Sequence, residues 1–476
     1  MKYRGYLYVA LATTLNIFLN ALTFGNYLWL EGRVRNGVFR NWGRRYRYRP
    51  ERFATPSSEA ELVELIKNAK DLRFFGSAHS FNDGVVADTT LVSLDNYTGV
   101  VAEDTAKLQL TVRGGTRIRD VVRLLLDRGW AFRALPSHDA QSIGGILSTD
   151  VHGTGRDWGF VSEAVVRLKV IDAIGTVHTC EPKDDLFRAA IGGIGAVGVV
   201  SEVTVQAVPK FNVEQKFEIS DLSYVESNLD KLLDDNHHLS LYLFPFTKKC
   251  QISTWNRRPD KPKSFLGPLR EFIAISMDAW LAAWFGNLMA YSGLLPKLSN
   301  FSHGLKKGTD LVMESNKAFN RTIYHLHQKL EFTVPYDNKL TIAHRFVKLY
   351  EDMYRQKPLP YPTFEIRFTP DKHDLTLIGA GREQRSIWID LVIDDSHGFE
   401  EFYAAAEKLM KEVGARPHLG KYCTEHTKAD MQKLHKDRFD KFLAIRKQQD
   451  PHGKFANVFS RRLFEETAQN TTTSDI

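Results

Sequence analysis

Two runs of small residues, each following an apolar stretch, constrain this chain more than any other feature. The first, Arg73-Phe-Phe-Gly-Ser-Ala-His-Ser-Phe-Asn-Asp83, is an apolar strand end that breaks into a turn carrying one imidazole, His79. The second, Gln141-Ser-Ile-Gly-Gly-Ile-Leu-Ser-Thr-Asp-Val-His-Gly-Thr-Gly155, comes about sixty residues later, and Gly192-Gly-Ile-Gly-Ala-Val-Gly198 follows it. Small side chains let the main chain approach phosphate oxygens, and successive N–H groups form an anion-binding concavity. In this order the runs predict a loop pair around a dinucleotide's pyrophosphate. The first loop would contribute Phe75, Gly76, Ser77, Ala78, His79, Ser80, Asn82 and Asp83. The second would contribute Gly144, Gly145, Ser148, Thr149, His152, Gly153, Thr154 and Gly155. Gly193, Gly198 and Val200 would come from the third. Tight turns with no ligand are the alternative for these glycines. A Gly-x-Gly-x-x-Gly pattern after the first strand is absent, so a Rossmann site is not expected.

The surrounding pattern is α+β. Pro56–Lys67 reads as a capped amphipathic helix, and Thr116–Gly129 has helical spacing with Ile118, Val121, Val122, Leu124, Leu125 and Leu126 on its apolar side. Leu72–Phe75, Leu91–Leu94, Leu108–Val112, Val165–Ile171 and Gly198–Val208 read as strands. Pro209 marks a boundary. Beyond it, Leu239–Pro245, Lys329–Pro335, Thr363–Phe368 and Ser386–Ile393 predict a second sheet, interleaved with helices at Ala343–Gln356 and Gly398–Val413. With 476 residues the chain has room for several cores. The expected organisation is an anchor and basic linker over 1–49, a nucleotide-binding domain over 50–209, a substrate or cap domain over 210–415, and a C-terminal segment over 416–476.

Residues 5–30 carry no charged side chain, enough to span a bilayer core of about 30 Å, with Tyr6, Tyr8, Tyr27 and Trp29 near the ends. No signal-peptide cleavage site is evident. Asn16, Asn20 and Asn26 also fit a surface-lying or core helix. A membrane anchor is the expectation. Arg33, Arg35, Arg40, Arg44, Arg45, Arg47 and Arg49 follow it directly, so the positive-inside rule places a single-pass chain with its catalytic domain in the cytoplasm. These arginines hold much of the +7 formal charge, and with no recognition motif beside them nucleic-acid binding is not expected. The stretch Phe272–Leu295 is apolar and aromatic. It predicts a helix pair facing a membrane or a pocket mouth, or a plain buried helix. Cys180, Cys250 and Cys423 show no disulfide or zinc spacing.

These motifs, with Arg416-Pro-His-Leu-Gly-Lys421 and Asp450-Pro-His-Gly-Lys-Phe-Ala-Asn457, resemble the flavin-dependent oxidoreductases of the vanillyl-alcohol-oxidase fold. Within that fold the chain is similar to the sugar-lactone and alditol oxidases over about residues 50–465. The resemblance implies a PCMH-type FAD-binding domain of two α+β subdomains and a cap domain with an antiparallel sheet; the uncharged segment 5–30 adds the expectation of an N-terminal transmembrane helix ahead of both. The resemblance also implies FAD as cofactor, bonded covalently through His79, with Asn457 on the returning C-terminal segment. The Thr149–Gly153 stretch is more similar to decaprenylphosphoryl-ribose oxidase, whose FAD is not covalently bound.

Glu365 and Arg367 are two apart on one strand and so share a face. They can form a neutral structural pair or orient a polyol, and the resemblance implies the second. It also places Lys421 near the reacting centre. His418 can act as a base or pack beside a helix, Ser142 can meet substrate or its own backbone, and His79 can merely hydrogen-bond a carbonyl. Glu331 is read as structural. His237, His238, His325 and His327 lack carboxylates at ligand spacing, so no metal is expected. The implied reaction is hydride transfer from a CH–OH group of a sugar, alditol or aldonolactone to flavin N5. Oxygen, a quinone or a cytochrome would take the electrons. A lipid-linked sugar as substrate, or an inactive membrane-tethered scaffold, are the rival readings.

Overall fold

The computed structural model describes residues 32–271, 273, 278–304, 308–320, 326–371, 373–394 and 398–466. The anchor segment expected within 5–30 lies outside them. Among the described residues no helix is long and apolar enough to cross a membrane.

Two main sheets organise the N-terminal half. Arg52–Ala54, Thr90–Ser93 and Leu72–Phe75 form a parallel sheet with the Thr90 strand central. The helix Glu59–Asn68 packs with it through Leu62 and Ile66. Ser58 caps this helix by accepting from the Glu61 amide at 3.2 Å. A five-stranded antiparallel sheet follows, in the order Val177–Cys180, Val165–Ile171, Val199–Gln206, Gln109–Arg113, Val100–Asp104. Its core includes Ile118, Val121, Val122 and Leu125, whose i, i+3, i+4, i+7 spacing gives the helix Ile118–Asp127 one buried face.

The second half carries an eight-stranded antiparallel sheet. Its order is Thr309–Glu314, Asn212–Asp221, Lys249–Arg257, His238–Leu243, Pro362–Thr369, Ser386–Asp394, His327–Pro335, Arg416–Pro417. The alternate residues Leu330, Phe332, Val334, Phe364, Ile366, Ile389 and Leu391 form one core with buried residues of the helices Leu222–Asp235, Thr341–Gln356 and Phe399–Glu412. The intervening side chains, polar or charged apart from Trp388, therefore point to the sheet's other face.

One expectation changes. The arginine-rich stretch read as a linker is folded: Arg33–Arg35, Val38–Arg40 and Arg47–Tyr48 form a three-stranded meander. The apolar residues among the arginines cause this. Phe39 joins Phe75, Ala78 and Leu91 in one cluster, and Trp42 joins Phe81 and Leu326 in another. The Gly32 amide donates to the Ser77 carbonyl and the Trp42 amide to that of Ala78, at 2.7 and 2.9 Å. The meander thus braces the loop that carries His79.

Candidate active site

A cleft enclosing about 1060 Å³, open mouth included, runs between the strand Leu72–Phe75, the loop 76–82, the helix Ile143–Ser148, the turn 194–200 and the segment 418–421. The two small-residue loops meet there. A Cβ on Gly76 would lie 1.8 Å from Ser142 Oγ, so no larger residue fits without parting them. Ala78 adopts a left-handed φ of 50° just before His79, a conformation sparsely used outside glycine. Asn82 Nδ2 donates to the carbonyls of Leu419 and Lys421 at 2.6 and 2.8 Å, tying the loop to the C-terminal segment. Arg73, a lining residue the sequence reading missed, donates to the carbonyls of Gly84, Ile194 and Phe455 and so ties three walls together. Burial pulls its guanidinium down to about 10.

His79 is buried and stacks on Trp42 at 5.0 Å between ring centroids, with His138 at 4.5 Å. Burial, then the charges of His79, Lys329 and Lys421, hold the His138 pKa well below the usual imidazole range.

The polar face of the eight-stranded sheet continues this site. Tyr242, Glu365, Asp390 and Glu331 stand in register across four adjacent strands. Arg367 contacts Glu331 and reaches Asp390 at 3.4 Å and Glu365 at 4.0 Å. Lys329 lies 2.7 Å from Asp390 and 4.0 Å from Glu365, and Lys421 lies 3.4 Å from Glu331. The Tyr242 hydroxyl donates to Glu365 at 3.0 Å. Three carboxyl groups face three basic side chains, all largely buried. Burial raises the Glu331 pKa, but Arg367, Lys421 and His152 outweigh it and hold the carboxyl well below its ordinary value. Glu365 is lowered despite burial, through Arg367 and Lys329. Burial pushes Asp390 up and Lys421 down. His418 is also depressed by burial, and its Nδ1 accepts from the Gly420 amide at 3.0 Å.

Of the residues singled out from sequence, Phe75, Gly76, Ser77, Ala78, His79, Ser80, Asn82, Ser142, Gly144, Gly145, Ser148, Thr149, Gly198, Val200, His418 and Lys421 line the cleft. Ser142 both lines it and caps the helix Ile143–Ser148, accepting from the Gly145 amide at 3.3 Å. Gly144 does not offer its amide to the cleft, because that group donates to the Gly114 carbonyl at 2.8 Å. Glu365 and Arg367 belong to the neighbouring wall of the sheet, linked to the cleft through Glu331 and Lys421.

The remaining residues are engaged elsewhere. The Gly153 amide donates to Gly159 and that of Gly155 to Phe368, at 2.7 and 2.8 Å, and Thr154 Oγ1 accepts from the Phe368 amide at 3.2 Å. A Cβ at Gly155 would sit 2.0 Å from the Trp158 carbonyl, so close backbone packing explains that glycine. His152 stacks on Trp388 at 3.5 Å and meets Glu331 at 3.0 Å. Asp83 pairs with Arg462 at 3.1 Å. Asn457 caps the helix Val458–Phe464, and a Cβ on Gly193 would lie 2.0 Å from the Ala189 carbonyl.

Glu331, read as structural, stands at the centre of the charged wall. Its strand had a signal: Lys329 and Glu331 share a face as Glu365 and Arg367 do, and Asp390 is a charge in the middle of an apolar strand. Trp42 and His138 had none. Among the described residues, two buried groups of ligand atoms, His152–Glu331–His418 and Glu407–Cys423–His426, lie within 4.8 Å. In the first the carboxylate already faces Arg367 and Lys421. In the second Glu407 accepts from the Thr424 amide and hydroxyl and the Glu425 amide.

A cleft floored by small-residue loops and closed by a charged antiparallel sheet fits a dinucleotide cofactor, and it defines a flavoprotein oxidoreductase. Residues 50–181 match the FAD binding domain family, and residues 203–463 match the D-arabinono-1,4-lactone oxidase family. The second match spans more than half of the 476 residues, and the chain belongs to the D-arabinono-1,4-lactone oxidase family. It is an FAD-dependent oxidoreductase acting on CH–OH donors. L-gulono-1,4-lactone dehydrogenase of Mycobacterium tuberculosis is 27% identical over 432 residues, 90% of this chain and 99% of its own. L-gulonolactone oxidase of Bos taurus is 26% identical over 440 residues, 90% and 98% of the two chains. D-arabinono-1,4-lactone oxidase of Candida glabrata is 34% identical over 229 residues, 46% of this chain and 44% of its own. A variant of cholesterol oxidase from Brevibacterium sterolicum shares the fold, with a TM-score of 0.71 at 17% identity, covering 91% of this chain and 98% of that one.

Proposed function

We propose that this protein is a membrane-attached enzyme that oxidises a ring or chain CH–OH group of an aldonolactone, with neutral sugars and alditols as further candidates. Bound FAD supplies the hydride acceptor. The observation that carries the reading is the charge balance of the wall beside the cleft, where Lys329, Arg367 and Lys421 are matched by Glu331, Glu365 and Asp390. Such a wall offers fixed donors and acceptors without a net field, which suits an uncharged polyhydroxy substrate. Glu365 accepts from a substrate hydroxyl and Arg367 holds a neighbouring oxygen in its planar fork. Lys421 polarises the reacting oxygen. The hydroxyl proton leaves toward a base at the Lys421–His418 end of the cleft, and His418, which accepts from the Gly420 amide at Nδ1, presents Nε2–H to a substrate oxygen. Ser142 orients the substrate edge nearest the loops, and His79 is the covalent attachment point for the flavin.

A lipid-linked sugar remains the second reading, favoured by exposed apolar residues on the helix Asp278–Ser292. Its phosphate would meet a wall with no surplus positive charge, which ranks it below the lactone. The uncharged segment 5–30 is the proposed anchor, and a quinone, a cytochrome or oxygen the acceptor.

The test is anaerobic bleaching of the flavin by L-gulono-1,4-lactone, D-arabinono-1,4-lactone, free alditols and polyprenyl-phosphate sugars in parallel. Rapid bleaching by a lactone is expected. Bleaching by the polyprenyl substrate alone would replace this reading with the second.

A further inference from the structure

Nine of the sixteen exposed large apolar side chains among the described residues fall between 265 and 301. Such concentration on one short stretch marks an interaction surface. On the helix Asp278–Ser292 the pattern is ordered: Leu281, Phe285 and Leu288 are 53%, 40% and 37% exposed at i, i+4 and i+7. Gly286, Asn287, Met289 and Ala290 are buried on the opposite side. The inner side is fixed to the sheet. Gly286 packs on the Tyr361 ring, where a Cβ would lie 2.4 Å from Cδ1, and Asn287 Oδ1 accepts from the Tyr361 amide at 2.9 Å. The helix therefore presents an apolar stripe outward by construction.

A second surface lies at the same end of that sheet. The meander, with Arg49 just past it, forms a concavity lined by Arg33, Arg35, Arg40, Arg44, Arg47 and Arg49, with no acidic residue among the described residues that line it. Its Trp42 lies 4.9 Å from the His327 ring, and Gln328 Nε2 donates to the Gly43 carbonyl at 2.7 Å. Gln328 pairs with Ile393, and Ile393 with Pro362, the residue after Tyr361. The two attachments are thus two strand spacings apart, about 10 Å. The uncharged stretch 5–30 also ends three residues before Arg33.

We propose that this end of the sheet is a docking surface for an anionic lipid bilayer. Leu281, Phe285 and Leu288 would enter the interfacial region, and the arginine concavity would gather lipid phosphates. The charge decides the occupant: an apolar stripe alone suits several partners, but six arginines beside it suit a negatively charged sheet of headgroups. The inference is independent of the lactone reading and does not require the anchor.

The experiment uses the full chain with Phe285→Cys carrying a polarity-sensitive fluorophore. Native Cys180, Cys250 and Cys423 are buried and stay unlabelled. Lys107→Cys, in the turn between Val100–Asp104 and Gln109–Arg113, is the control. Vesicles of phosphatidylcholine alone are compared with vesicles containing about one third phosphatidylserine. A blue shift at 285 and none at 107, stronger on the anionic vesicles, is expected. Arg33→Ser/Arg35→Ser/Arg47→Ser should lower the docked-to-undocked ratio about a hundredfold while flavin absorbance is retained. Leu281→Ser/Leu288→Ser should weaken docking on both vesicle types. Co-flotation with a silent 285 label would mean an anchor without docking and would overturn the proposal. So would equal signals on the two vesicle types, or a 285 label shielded only by protein self-association.

Discussion

Glu331→Gln tests the charged wall most directly. Glu331 is 1% exposed and faces Arg367, Lys421 and His152. Removing one partner of a buried ion pair costs about 3–5 kcal/mol, because the opposite charge stays desolvated. Arg367 keeps Asp390 and Glu365, and glutamine keeps a carbonyl oxygen, so the lower end, about 3 kcal/mol, is expected. Urea unfolding followed by far-ultraviolet circular dichroism measures it. The pH dependence carries the sharper check. The folded pKa of Glu331 lies well below its unfolded value of about 4.3, so its contribution is complete above that value and lost as pH falls through the folded pKa. Wild type and variant should therefore differ near neutral pH and converge in acid. A gap below about 0.5 kcal/mol at neutral pH, or one that does not narrow on acidification, would refute the assignment of Glu331 as an ionised hub.

Gly76→Ala places a methyl 1.8 Å from Ser142 Oγ and should part the two loops, lowering FAD content of the purified protein at least about tenfold, read from the visible spectrum. His79→Ala should move the flavin from the pellet to the supernatant on acid precipitation, and flavin that stays in the pellet would exclude His79 as the attachment point. Glu365→Gln and Arg367→Met should each slow lactone bleaching of the flavin by about a hundredfold or more with FAD still bound, and unchanged bleaching in both would remove them from the substrate site.

Local pattern carried the fold a long way. Leu330, Phe332 and Val334 alternate with Lys329, Glu331 and Thr333, and that period of two suffices to predict a half-buried strand. The helix Ile118–Asp127 was legible as a helix, but of the six apolar residues its spacing suggested, Leu124 and Leu126 fall off the buried stripe and are only half-buried. The loop around His79 and the turn at Ser142 were readable for a related reason, since small residues after an apolar strand leave the backbone few other uses. The same composition misled at 150–155. Gly153 and Gly155 look like phosphate-binding glycines, but their amides are taken by Gly159 and Phe368, partners near and far in the chain.

What the chain by itself determined was the inventory: strands, helices, small-residue loops, and the face on which each charge would sit. Which charges meet was decided only by the packing of distant strands. Glu331, Arg367, Asp390 and Lys421 come from four separate segments, and their pairing depends on strand order and register, which local spacing does not encode. Trp42 reaches His79 for the same reason: an arginine-rich stretch folds back once its few apolar side chains find a core formed by other parts of the sequence.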